Sequence, residues 1–162
     1  MFRRNALQTL LVLATAALLG ACASAPASRT LAGTVAETKA LNTFQQLAAE
    51  AGLSTTLEGA APYTVFAPSD AAFQAVPAKT LAALKADKAQ LKAVLSYHIV
   101  PGALAAADLK AGNLKTLQGA NMAVSRAGTF VTVEDAMVEQ ADLRASNGVV
   151  HVIDRVLMPP KK

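Results

Sequence analysis

"TVFAPSDAAFQAVP", residues 64–77, changes character in its middle. Thr64, Val65 and Phe66 favour extended backbone and read as the start of a buried strand. Pro68 then has no N–H to give a ladder, and Ser69 with Asp70 is helix-start chemistry. Either Ser69 and Asp70 are poised for a reaction, or they cap a helix that must leave a strand at a fixed angle. The rest of the chain decides between the two.

Upstream, residues 1–21 read as an export signal. "MFRRN" is basic, and "ALQTLLVLATAALLG" is apolar but too short and too soon followed by polar sequence for a comfortable membrane span. The ending Leu19-Gly20-Ala21-Cys22 resembles the lipobox of bacterial lipoproteins, which implies cleavage before Cys22 and acylation of its thiol; the alternative is simple secretion. Cys22 is the only cysteine, so the domain folds without an internal disulfide. "ASAPASRT" completes a flexible tether over residues 22–33, and order is expected from Thr34 to Pro160, ahead of a basic tail at 161–162. Losing Arg3 and Arg4 with the leader leaves thirteen of the fifteen basic residues against eleven acidic ones, a net +2. With so small a balance, no basic cluster beyond Lys161 and Lys162, no Trp and only two Tyr, the chain gives no reason to expect a nucleic-acid partner.

The segment 34–52 puts Leu41, Phe44, Leu47 and Ala48 at helical spacing before Gly52, predicting one amphipathic helix. A strand over 63–67 and a short helix from Ser69 or Asp70 follow. Residues 77–102 read as two helices divided near Asp87, which forms a capping box with Gln90; Leu91, Val94, Leu95 and His98 then share an inward face. "LAAADL" at 104–109 adds a possible helical turn. "TLQG", "NMAVSR", "TFVTVE" and "AMVEQADL" read as short strands, with a hairpin turn over 126–128. The last run, "NGVVHVIDRVLMPP" at 147–160, has apolar residues on both faces around His151, Asp154 and Arg155, as a strand covered on both sides would. Asn147-Gly148 suits a turn needing positive φ, and Pro159-Pro160 suit an end. No repeat is visible, so the pattern is a single α+β domain with helices mostly first and strands mostly last.

Enzymatic chemistry finds no footing. A hydrolase needs a nucleophile beside an oriented base, and His98 and His151, the only histidines, lie in no nucleophile elbow. Two isolated histidines do not make a zinc site, and there is no P-loop or dinucleotide fingerprint, so neither a metal nor another cofactor is expected.

Three segments together, "TVFAPSDAAF" at 64–73, "YHIVPG" at 97–102 and "NGVVHVIDRVLMPP" at 147–160, resemble in order and spacing the first box, the Tyr-His segment and the second box of the fasciclin (FAS1) domain. "LKTLQG" at 114–119 looks like the family's pre-strand segment, while "TVEDAMV" at 132–138 departs from the Asn-Gly turn that members often carry. The resemblance implies a wedge of β-strands, partly sandwiched, with several helices packed on one side. It gives Thr64, Phe66, Pro68, Ser69, Asp70 and Phe73 an architectural role as strand and departing helix, and places Asn147, Gly148, His151 and Asp154 in the second motif. It also implies a role in adhesion or protein binding on cell surfaces; joined to the lipobox-like leader, this gives a non-enzymatic interaction module of the cell surface or periplasm, held to a membrane through Cys22.

Family members that bind cell receptors use an Asp-Ile pair before the second box and the Tyr-His segment. By position these become Asp142-Leu143 and Tyr97-His98, the latter flanked by Leu95, Ile99 and Val100. The residues themselves leave a second reading, in which Tyr97, His98 and His151 are buried groups paired across helix and strand. The alternative function is a small-ligand binder holding an apolar molecule between helices and sheet.

Overall fold

The computed structural model describes residues 29–160. The leader, Cys22 and the terminal Lys161 and Lys162 lie outside the described residues. Helix α1 (Leu31–Glu37) starts before the expected Thr34: the Thr30 hydroxyl accepts the Gly33 N–H at 3.3 Å, and Leu31 and Val35 are buried. Residues 31–33 therefore belong to the domain and not to the tether.

The single helix expected over 34–52 is two helices. Thr38 turns extended after α1, a single 3-10 turn follows (Lys39–Leu41), and α2 runs Asn42–Glu50. The break lets Leu31 and Val35 meet the same core as Leu41, Phe44 and Leu47, which one straight rod could not do. Gly52, at φ 71°, ends α2 as expected, with the Leu53 N–H returning to the Ala48 carbonyl. Helix α3 (Ser54–Glu58) leads to β1 (Tyr63–Pro68), whose last residue is Pro68 itself. Helices α4 (Asp70–Ala75), α5 (Ala78–Ala86) and α6 (Lys88–Tyr97) follow. Asp87 caps α6 through the N–H groups of Ala89 and Gln90, while its own N–H goes to the Ala83 carbonyl, so the expected box with Gln90 is half formed.

The strands are β2 (Ile99–Pro101), β3 (Gly112–Lys115), β4 (Asn121–Ala127), β5 (Phe130–Val133), β6 (Ala136–Ala145) and β7 (Gly148–Ile153). Two expectations fail here. "LAAADL" is a hydrogen-bonded turn without a helix, closed by Asp108 and Leu109 N–H on the Ala105 carbonyl. "TLQG" is the turn after β3, held by Thr116 on the Ala120 carbonyl, because the strand lies just before it. The hairpins around Gly128 and Glu134-Asp135 both form; Glu134, at φ 52°, takes the conformation that an Asn-Gly turn would supply.

The sheet order is β2-β1-β7-β6-β5-β4-β3, with β1 and β7 parallel and every other neighbour antiparallel. Alternation along the two central strands feeds two cores. Val65, Ala67, Val150 and Val152 face the helices with Phe44, Leu47, Phe73, Leu91 and Leu95. Phe66 and Ile153 face the other way, onto Met122, Val124, Val131 and Val133 of the strands that curl over them. The curl is possible because β6 changes register twice, between Val138 and Gln140 and between Gln140 and Leu143, and bulges bend a strand. The β7 strand is buried along its whole length, as its apolar residues on both faces predict.

Candidate functional site

The Ser69-Asp70 pair is architectural. Ser69 caps α4 by accepting the Ala72 N–H at 3.2 Å, and Phe73 is buried beneath it. Asp70 turns away from its own helix and serves another: its carboxylate accepts the Thr43 N–H at 2.7 Å, in the first turn of α2, and the Asn42 amide at 3.4 Å. Desolvation pushes this carboxyl up, but the hydrogen bonds from Thr43 and Asn42 outweigh it and hold Asp70 below the usual carboxylate range.

Tyr97 and His98 are adjacent in sequence and have different hydrogen-bond partners. Tyr97 is buried among the strands, its hydroxyl 3.0 Å from Glu134 Oε1 and 3.1 Å from the Asn121 carbonyl. Burial and the Glu134 carboxylate push it up to about 12. His98 has no exposed surface and sits just past the end of α6. Its Nδ1 donates to the Val94 carbonyl at 2.8 Å and its Nε2 accepts the Leu157 N–H at 3.0 Å, which fixes one neutral tautomer. Neither ring is presented to a partner, so the reading of both as surface binding residues is corrected to one of buried groups whose polar atoms are paired.

The second motif builds the corner of the sheet. Where β6 bulges, residues 141 and 142 stand opposite His151 alone, and the ladder cannot use the Asp142 N–H. The His151 ring takes it on Nδ1 at 3.2 Å, donates from Nε2 to the Leu104 carbonyl at 2.9 Å and stacks on Phe66 at 5.4 Å. Burial lowers the His151 pKa, against the opposing pull of the Leu104 carbonyl and Asp142. Asp142 adopts φ 60°, a left-handed conformation that Asp tolerates better than most residues, and its carboxylate accepts the Ala106 N–H at 2.7 Å. Asp142 is exposed; Leu143 is half-buried against the helical core. Sequence position brings these two together, and the bulge turns them to different surroundings.

Asn147 is a buried clamp, a role its place in an Asn-Gly turn does not announce. Its Oδ1 accepts the Leu31 N–H at 2.7 Å and its amide donates to the Leu57 carbonyl at 2.9 Å, tying α1 and α3 to β7. Gly148 is required by close approach as well as by φ, since a Cβ there would overlap the Tyr63 carbonyl. Thr64 holds the chain after β2, donating to Gly102 at 2.6 Å and accepting from Leu104 at 2.8 Å. Asp154 accepts the Met137 N–H at 2.7 Å and returns its own N–H to the Met137 carbonyl. Arg126, expected only as a turn residue, reaches the carbonyls of Ala106 and Ala107.

Among the described residues no three His, Cys, Asp or Glu side chains are placed to share a metal, and no helix is long and apolar enough to cross a membrane. The space between helices and sheet, where an apolar ligand was the alternative expectation, is filled by Phe44, Phe73, Leu91, Leu95 and the valines of β1 and β7. Concavities open at the surface instead. One of about 390 Å³ lies between the turn at 103–108 and the β6–β7 connection, and one of about 450 Å³ lies between α5, α6 and Met158.

Fold and site together define a small α+β domain with a twice-filled, curled sheet, in which the sequence's polar motifs hold strands, turns and helix ends in place. The fasciclin domain model matches residues 39–159, and the chain belongs to the fasciclin domain family. It is 41% identical over 133 residues to Protein sll1483 of Synechocystis sp., covering 78% of this chain and 74% of that protein. Identity is 38% over 119 residues to transforming growth factor-beta-induced protein ig-h3 of Sus scrofa, covering 72% of this chain and 17% of the relative. It is 39% over 111 residues to the cell surface glycolipoprotein MPB83 of Mycobacterium bovis, covering 68% and 50%. The chain thus spans half or less of the length of the last two. The fold also matches a FAS1 domain pair from the insect cell adhesion molecule Fasciclin I, with a TM-score of 0.64 at 18% identity, over 81% of this chain and 51% of that one.

Proposed function

We propose that this protein is an exported, lipid-anchored interaction module that presents the Asp142 bulge to a protein partner at the cell envelope. The observation that carries the reading is the bulge itself. A non-glycine residue held at φ 60° costs about 1 kcal/mol or more, and here Asp142 is exposed at a sheet corner and fixed from two sides by His151 and Ala106. A strained, charged and pre-ordered surface residue suits recognition, because little ordering remains to be done on binding. The Cys22 anchor agrees with the description of MPB83 as a cell surface glycolipoprotein, and the adhesion role with the insect molecule that shares the fold.

The test compares the intact protein with its Asp142→Gly variant, which keeps the left-handed backbone and removes the carboxylate. Both are crosslinked in native envelope at equal abundance. A partner recovered with the parent and lost with the variant supports the reading; equal recovery removes Asp142 from it.

A further inference from the structure

We propose that the concavity between the turn at 103–108 and the β6–β7 connection binds a small zwitterion of the amino-acid or short-peptide class, its carboxylate on Arg144 and its ammonium on Asp108. This goes beyond the interaction role, and nothing in it depends on a protein partner or a membrane.

One wall of the concavity is a turn with no regular structure that four side chains from four strands hold in place. Thr64 of β1 bonds to Gly102 and Leu104, and His151 of β7 to the Leu104 carbonyl. Asp142 of β6 takes the Ala106 N–H, and Arg126 of β4 donates to the Ala106 and Ala107 carbonyls. A connection with that many side-chain bonds is pre-organised in the way a binding wall requires. Ala103 and Ala105 of this turn, and Ala60, Ala145 and Gly148 beyond it, have side chains that stop at Cβ or earlier, and together they line a volume of about 390 Å³. That lies at the small end of ligand pockets, and no aromatic ring lines it as a platform for a sugar or base.

Arg144 and Asp108 line this space, both exposed. Among the described residues neither side chain forms an ion pair or a hydrogen bond, with the other or with any residue, although Arg126 and Asp142, which hold the turn, both do. A guanidinium fork matches a carboxylate with two parallel hydrogen bonds, and a carboxylate accepts from an ammonium. Two unengaged charges of opposite sign that line one small concavity therefore select a ligand carrying both signs. A plain anion meets Asp108, a plain cation meets Arg144, and each loses by that contact what it gains from the other.

The test uses the chain from Cys22 onward with Cys22→Ser, and as probes L-alanine, L-alanyl-L-alanine and tri-L-alanine, each also N-acetylated or C-amidated. Binding is read by calorimetry and by amide shifts in NMR. The expected result is saturable binding of at least one free zwitterion, with shifts at Ala103, Ala105, Asp108 and Ser146. Its blocked forms, Arg144→Gln and Asp108→Asn should each bind about tenfold more weakly or worse. Neither side chain holds another residue, so both variants should melt like the parent. Ala105→Leu, which fills the space and leaves both charges, should abolish binding too. No saturable binding by any free zwitterion, or equal binding by the blocked forms or the charge variants, overturns the proposal.

Discussion

The His98 ring joins the end of α6 to the segment that follows β7, accepting the Leu157 N–H at 3.0 Å while it donates to Val94. Both nitrogens are used and the ring is fully buried, so burial lowers its pKa to about 4 despite the Val94 carbonyl, and it stays neutral. His98→Ala should leave the Leu157 N–H without an acceptor and cost about 1 to 3 kcal/mol in urea unfolding. The pH dependence has a definite sign. Between about 6.5 and about 4 the unfolded chain binds a proton at His98 that the folded chain does not, so stability is full above that window and falls as pH drops through it. His151, shifted in the same direction, adds to the slope. Unfolding curves at pH 7, 5.5 and 4.5 should show the loss in the parent and a shallower one in His98→Ala; a flat parent profile would contradict the neutral buried ring.

Asp70 caps a helix other than its own. Asp70→Ala should free the Thr43 N–H at the start of α2 and lower stability by about 1 kcal/mol, while Ser69→Ala removes the cap of α4 with a similar loss. Because the folded Asp70 pKa is depressed, its contribution is present above the ordinary carboxylate value of 3.8 and disappears as pH falls below it. A double variant with losses that add would show that the two caps act on separate helices.

Gly148→Ala should be among the most damaging single changes in the domain. The new Cβ would overlap the Tyr63 carbonyl on the parallel neighbour strand and press on Leu31, at a φ of 155°. A loss of at least about 3 kcal/mol in chemical unfolding is expected. An Ala variant as stable as the parent would mean that β1 and β7 do not approach as described.

The Asp142-Leu143 pair should separate by mutation. Leu143→Ala, against the helical core, should cost about 1 to 2 kcal/mol, whereas Asp142→Gly should stay within about 1 kcal/mol because the backbone is relieved as the Ala106 bond is lost. Thermal melts of the two single variants check this. A large loss from Asp142→Gly would make Asp142 a structural residue first.

Cys22→Ser should move the protein from the membrane to the soluble fraction. Each acyl CH₂ buried in lipid contributes about 0.8 kcal/mol, and stable anchoring takes more than one chain. Fractionation of cells with an antibody to the domain reads the result, and unchanged membrane association would rule out an anchor at this thiol.

What the amino-acid sequence determined by itself is local. Ser69, Asp87 and Gly52 mark helix ends through bonds made within a few residues, so their chemistry is visible in one dimension. The run from Val149 to Ile153 shows by its missing alternation that it is covered on both sides. The three fasciclin-like segments carry the family, and with it the α+β class of the fold. What only the tertiary structure decided is every relation between distant segments. The helix over 34–52 breaks at Thr38 because two parts of it must meet one core, which helical periodicity cannot announce. Asp142 and Leu143 are neighbours in the chain and diverge at a bulge whose spare N–H is taken by a ring nine residues later. Asp70 caps α2 from across the fold, Asn147 ties together α1, α3 and β7, and Arg144 comes to share a concavity with Asp108. Spacing encodes which face of an element is apolar; which polar groups meet depends on how the elements pack, and that is settled only when the buried donors and acceptors of the whole domain are satisfied together.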